Sequence, residues 1–239
     1  TKKEGTKFSP VYELSVNAGE TKTIYCRRTD QETGDPFLNG FENIFTLRKQ
    51  EADDFYNSIL PATFSPDLKN IQRKALAGLL WSKQFYHFDV KRWLTTGDGI
   101  TEVNEGKQNG RNKEWVHLKN QDVIAMPDKW EYPWYAAWDL AFHCISMAMV
   151  DVSFAKHQLQ LIMREWYMKP DGQLPAYEWN FSDVNPPVQA WAAMEIYRIE
   201  KERFGEGDVI FLKKVFQKLL INFTWWINRK DRSGNNIFE

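Results

Sequence analysis

Six stretches with an apolar residue at every third or fourth position, set in pairs between Pro- and Gly-bearing breaks, restrict this chain to a helical architecture. The first runs over about residues 42–60 and is ended by Pro61. Ser65-Pro66-Asp67 opens the second, which carries Leu68, Ile71, Ala75 and Leu79 on one face. Helical periods return at 134–150 and 152–167, parted near Asp151, until Lys169-Pro170-Asp171-Gly172 breaks the run. Pro186-Pro187 starts a helix over 187–204. The last carries Leu212, Val215, Phe216, Leu219, Phe223, Trp226 and Ile227 as a stripe and stops at Asp231 to Gly234. Long polar or irregular connections, Thr95–Gly110 and Gln173–Asn185, follow every second helix. Stacked helical hairpins make a solenoid or a closed toroid, and their long loops gather at one end to build the site. Six helices draw half of such a ring. A half ring exposes an apolar face, so the remainder of the same polypeptide or a second copy is expected to cover it.

The first thirty residues follow another rule. Tyr12, Leu14 and Val16 alternate with Glu13, Ser15 and Asn17; Asn17 to Glu20 turns the chain; Thr21 to Arg28 alternates again. This pattern predicts a β-hairpin, and because a lone hairpin is barely stable it reads as the tail of a β domain. Gln31 to Pro36 has linker composition. The expected division is therefore 1–36, a β remnant plus linker, and 37–239, the first half of a helical catalytic domain.

Composition narrows the function classes. Lys plus Arg (31) nearly balance Asp plus Glu (32), for a net charge of −1, which speaks against nucleic-acid binding. No apolar run has membrane-spanning length, and the polar start Thr1-Lys2-Lys3-Glu4 is not a signal peptide; a cytoplasmic location and no membrane partner are expected. Cys26 and Cys144 lie far apart in unlike contexts, which excludes a disulfide framework. Aromatic residues reach 15%, with 11 Trp, and flat rings with polar edges suit sugar rings.

Asp139 stands in an aromatic stretch, Trp134-Tyr135-Ala136-Ala137-Trp138-Asp139-Leu140-Ala141-Phe142-His143. A carboxyl buried among rings has its pKa raised and can hold a proton, as a general acid must. A helix starting at Pro133 would set Asp139 in the second turn, past the capping positions. The competing reading is a cap or a partner of the helix dipole. His143, four residues on, either steadies Asp139 by a hydrogen bond or is a satisfied core histidine. Histidines 87, 117, 143 and 157 have no metal-ligand spacing, so neither a metal nor any other cofactor is expected. Asp231 to Glu239 loosely resembles a calcium loop, but its glycine is misplaced and a polar turn is the better reading.

Three stretches together carry a resemblance. They are Trp81 to Leu94, with Tyr86, Asp89 and Trp93; Asp122 to His143, with Trp134, Trp138 and Asp139; and Gly172 to Pro187, with Tyr177 and Glu178. In this order they resemble glycoside hydrolase family 63, the mannosyl-oligosaccharide glucosidase group with its bacterial members, over roughly residues 40–239. The resemblance implies a mainly α fold, a partial (α/α)6 toroid of paired helices after a β-sandwich domain whose remnant is the N-terminal hairpin. It implies an inverting hydrolase of α-linked glucosyl or mannosyl saccharides. Asp139 takes the position of the general acid, and the general base is a Glu outside these residues. Tyr86, Asp89 and Trp93 fall near the sugar pocket, or else pack a helix end. Trp134, Trp138, His143, Tyr177 and Glu178 are the other expected substrate contacts. Glu131 and Glu178 are weaker candidates for the base. Asp183 and Asn185 read better as caps of the following helix. An oligosaccharide or small glycoside is the expected ligand. The competing readings are a non-catalytic carbohydrate-binding or assembly fragment, and a trehalase- or glucoamylase-like toroid hydrolase.

Overall fold

The computed structural model describes residues 9–30, 32, 34–35, 37, 40–95, 106, 109–110, 113–127, 135–174, 176–177, 185–229, 231 and 233–235. The chain divides into two compact units, Thr1–Asp54 and Phe55–Glu239. The fold is mainly α, as the periodicity requires. Its elements among the described residues are α1 (Phe41–Ile59), α2 (Pro66–Trp81), β1 (Lys83–Asp89), α3 (Val90–Thr95), β2 (Lys119–Ala125), α4 (Ala137–Ala148), α5 (Val152–Ile162), α6 (Gln189–Phe204) and α7 (Val209–Arg229). No helix among them is long and apolar enough to cross a membrane.

In the first unit the chain reverses at Asn17–Glu20. The Glu20 N–H donates to Asn17 O at 3.0 Å, the Asn17 side-chain amide donates to Glu20 Oε2 at 2.8 Å, and Gly19 takes a φ of 76°. Tyr12 Oη then lies 3.9 Å from Cys26 Sγ. The expected strands do not form here: residues 9–30 carry no ladder, and Val11, Leu14 and Val16 are exposed. Two short strands without a packed face do not hold a ladder in water.

The sheet that does form is in the second unit. β1 and β2 pair antiparallel from Lys83↔Ala125 to Asp89↔Lys119. Their inner face turns Tyr86, Asn120 and Ile124 to the interior, while Phe85, His87, Gln121 and Val123 face outward, the alternation a half-buried pair requires. The core joins that inner face to α4 (Leu140, Cys144, Met147), α5 (Ala155, Leu159, Ile162), α6 (Ala192, Ile196) and α7 (Phe211, Val215). Small residues on α4 and α6 (Ala141, Ala148, Ala192, Ala193) are fully or almost fully buried and let the helices approach closely. Burial also pushes the Cys144 thiol far up, so it remains protonated and packs as an apolar group.

Helix starts follow the capping signals. The Leu68 N–H donates to Ser65 Oγ at 3.2 Å, and the Phe154 N–H to Asp151 Oδ1 at 2.9 Å. Gly205 closes α6 at φ 86°. Two stripes are rotated from their expected faces. On α2, Leu76 is buried whereas Leu68, Ile71 and Ala75 are exposed, a turn of about one residue or ~100°. On α7 the buried line is Phe211, Val215, Asn222, Trp225 and Trp226, and Phe216, Phe223 and Ile227 face outward. Periodicity cannot choose between two adjacent apolar faces; the neighbour that fits does. Near Asp231 the Gly234 N–H donates to Asp231 O at 3.3 Å and the Asn235 N–H to Asp231 Oδ1 at 2.9 Å, which is a polar turn.

One buried amide binds sheet to helix. The Ala125 N–H donates to Gln158 Oε1 at 3.1 Å, and Gln158 Nε2 donates to Val123 O at 2.9 Å. Gln158→Leu strands both backbone groups in the core and should lower unfolding free energy by about 2–4 kcal/mol, measured by chemical denaturation. Gly172 is a second rigid point. It takes φ 96°, its carbonyl accepts from Asn222 Nδ2 at 2.8 Å, and a Cβ there would stand 2.6 Å from Ile221 O. Gly172→Ala should therefore cost about 2–4 kcal/mol, from backbone strain and overpacking together, read as a drop in melting temperature.

Candidate active site

The N-terminus of α4 carries the candidate site. The expected helix start at Pro133 falls outside the described residues, as do Trp134, Glu131 and Glu178, and the helix is first formed at Ala137. Ala136 is held extended, at φ −126° and ψ 128°, because it bridges antiparallel to Tyr177 and the Ala137 N–H donates to Ala176 O at 3.0 Å. The Ala136 N–H donates to Met126 Sδ at 3.5 Å. This later start corrects the position of Asp139, which stands in the first turn, not the second. It also corrects its burial: Asp139 is half-buried.

Asp139 does not act as a cap. The helix has no side-chain cap bond, and no ion pair engages Asp139 among the described residues. Its carboxylate lines an open cavity of about 360 Å³ with Pro127, Phe142, His143 and Ser146. The dipole at the helix N-terminus favours negative charge at this place. The chemistry available is a carboxyl free to meet a ligand in a cleft walled by one aromatic ring and one imidazole.

His143 lines the same cavity but is held from behind. Ser82 Oγ donates to Leu79 O at 2.6 Å, so the 2.9 Å contact between Ser82 Oγ and His143 Nε2 must have the imidazole as donor. His143 is thus the Nε2–H tautomer, oriented by Ser82 instead of by Asp139. Burial pushes its pKa below the ordinary 6.5.

Trp138, Phe142 and Trp191 form a run of rings on α4 and α6, with centroids 5.9 Å and then 5.3 Å apart. Phe142 and Trp191 are both exposed. They were not among the expected contacts; Trp191 stands near no motif, and only the packing of α6 on α4 brings it alongside. Trp138 also borders a small enclosed cavity with Gln189, Asn222 and Trp226. Tyr177 arrives beside Ala136 through the bridge.

The other candidates lie elsewhere. Tyr86 is buried; its hydroxyl accepts from Gln84 Nε2 at 2.6 Å, and its ring meets Tyr135 edge-on at 6.0 Å. Asp89 Oδ1 accepts from the Arg92 N–H at 3.0 Å and so caps α3. Trp93 packs edge-on against Phe88 at 6.1 Å. None of the three lines the Asp139 cavity. Among the described residues no group of His, Cys, Asp and Glu could hold a metal ion.

With this geometry in place, comparison with known proteins adds a class. Residues 132–239, which contain Asp139, match the family model of the mannosylglycerate hydrolase MGH1-like glycoside hydrolase domain. The chain is also 49% identical over 248 aligned positions to the uncharacterized protein YMR196W of Saccharomyces cerevisiae. That alignment covers 99% of the chain but 23% of the yeast protein, so the chain spans about a quarter of the length of this curated relative. The domain match supports a glycosidase.

The buried imidazole makes a prediction about pH. The unfolded chain takes up a proton at His143 near pH 6.5, whereas the fold does so only at lower pH. Stability is therefore fully present above pH ~6.5 and declines as pH falls through the interval below it. Thermal unfolding between about pH 7 and pH 5 should show a steeper loss in the native protein than in His143→Gln.

Proposed function

We propose that this chain belongs to an inverting glycoside hydrolase acting on α-linked glucosyl or mannosyl saccharides, with Asp139 as general acid. The observation that carries this reading is the placement of Asp139: an uncapped, unpaired carboxylate at an open cleft, inside the stretch that matches a glycoside hydrolase domain. The name of that domain, mannosylglycerate hydrolase, adds short mannosyl glycosides to the substrates worth assaying. The residues 40–239 are read as part of an (α/α)6 toroid, of the family 63 kind, with a cytoplasmic location. The exposed apolar line of α7 and its groove with α6, about 390 Å³ and lined by Met194, Leu212 and Phe216, is the face that the remainder of the polypeptide or a second copy would cover.

In such a reaction Asp139 donates its proton to the leaving oxygen as the glycosidic bond breaks. A water attacks from the opposite face of the sugar, deprotonated by a second carboxylate roughly 6.5–9.5 Å away. We assign that base to a Glu outside the described residues. Phe142 and Trp191 offer flat surfaces for the sugar's C–H faces, and Trp138 and Tyr177 flank the acid. His143, locked as a neutral donor to Ser82, presents its Nδ1 edge as an acceptor and adds no charge to the cleft.

Asp139→Asn in the full-length protein should lower turnover of α-linked disaccharides and mannosylglycerate about 10²–10⁴-fold. Melting temperature and sugar affinity should stay near those of the native protein. Turnover at the native rate would overturn the assignment.

A further inference from the structure

A second cleft lies on the hairpin, away from Asp139. It has a volume of about 560 Å³ and is lined by Phe85, His117, Lys119, Gln121, Asp122 and Trp166. Phe85 is 62% exposed and Trp166 is half-buried, so both rings are open to a ligand. The polar groups are fixed from outside the cleft. Asp122 Oδ2 accepts from the buried Tyr167 hydroxyl at 2.8 Å. His117 Nε2 is held from behind, 3.1 Å from the Trp115 indole nitrogen and 3.4 Å from Met168 O, which leaves the Nδ1 edge of the ring for a ligand. The Arg164 guanidinium sits 5.4 Å from the Trp166 ring centroid and backs that ring. A cleft whose donors and acceptors are already oriented loses little on binding a ligand.

The chemistry selects the ligand class. Two aromatic rings offer flat apolar surface, while a carboxylate, an amide, an imidazole and an ammonium offer hydrogen bonds. One anion and one cation leave the cleft without net charge, which suits neither a phosphate nor a polycation. A neutral polyhydroxylated ring presents what these walls accept, C–H faces for Phe85 and Trp166 and hydroxyls for Asp122, Gln121 and His117. We infer that this cleft is a second saccharide-binding surface. It rests on the glycosidase reading for the identity of its ligand. From Asp122 to Ala125, the end of β2, the chain advances three residues, roughly 10 Å at strand rise, before it reaches Pro127, which borders the Asp139 cavity. One sugar ring does not reach both, so the surface serves the distal units of a saccharide chain.

The test uses the full-length protein carrying Asp139→Asn, titrated calorimetrically with maltoheptaose, an α-mannoheptaose and the matching disaccharides. Adding Phe85→Ala with Gln121→Ala, two outward-facing positions that leave the core intact, should weaken heptasaccharide binding about 10-fold and leave disaccharide binding unchanged. Trp166→Phe should weaken it less, and far-UV circular dichroism of each variant should match the parent. Equal heptasaccharide affinity with and without Phe85 and Gln121 would overturn the inference, as would failure of either heptasaccharide to bind. If Asp139 proves dispensable for turnover while the hairpin variants still lose heptasaccharide, the catalytic reading fails and this one stands.

Discussion

The buried carboxamide of Gln158 is the contact on which the geometry of the site depends. A two-stranded sheet has two edges, and β2 would leave backbone groups unpaired inside the protein unless something met them. Gln158 meets two of them, at Val123 and Ala125, from the middle of α5. The strand end is thereby fixed against the helix core. Met126 follows directly, its N–H bound to Ser82 O and its sulfur accepting from Ala136. Ser82 in turn orients His143. A single chain of contacts therefore runs from the centre of α5 to both sides of the Asp139 cavity.

The position of Asp139 illustrates how one backbone contact changes a side chain's chemistry. The pairing of Ala136 with Tyr177 consumes residues that could have been helical, and α4 begins later. Asp139 moves to the first turn, where solvent reaches it. A carboxyl fully buried among indoles would be neutral by desolvation alone.

Two of the described surfaces expose apolar side chains in different company. The outward line of α7, Phe216, Phe223 and Ile227, is aliphatic and aromatic with Met194 beside it. The outer face of the hairpin mixes Phe85 and Val123 with His87 and Gln121. Their compositions differ in the way interfaces differ from ligand clefts. An apolar ridge buries against another helix, whereas rings interleaved with fixed polar groups suit a hydroxyl-bearing ligand.

What could be read from the sequence was whatever depends on neighbours along the chain. The presence and rough extents of the helices followed from period and from the breaks at Ser65 and Asp151, whose capping bonds are local. The aromatic setting that singled out Asp139 is also local. Long-range contacts decided the remainder. Alternation at Tyr12 to Val16 resembled a strand but had no packed face, while the less regular Lys83–Asp89 became one because Lys119–Ala125 and α5 supplied partners. Tyr86 and Asp89 sat in a motif yet became core and cap, and Trp191 sat in none yet joined the rings beside the acid. Period and capping energy are summed within a few turns, so sequence alone determines them. Which face is buried, and which carboxylate remains free, depends on free energies shared between residues far apart in the chain, such as Ser82 and His143, 61 positions apart, and only the packed structure decides those.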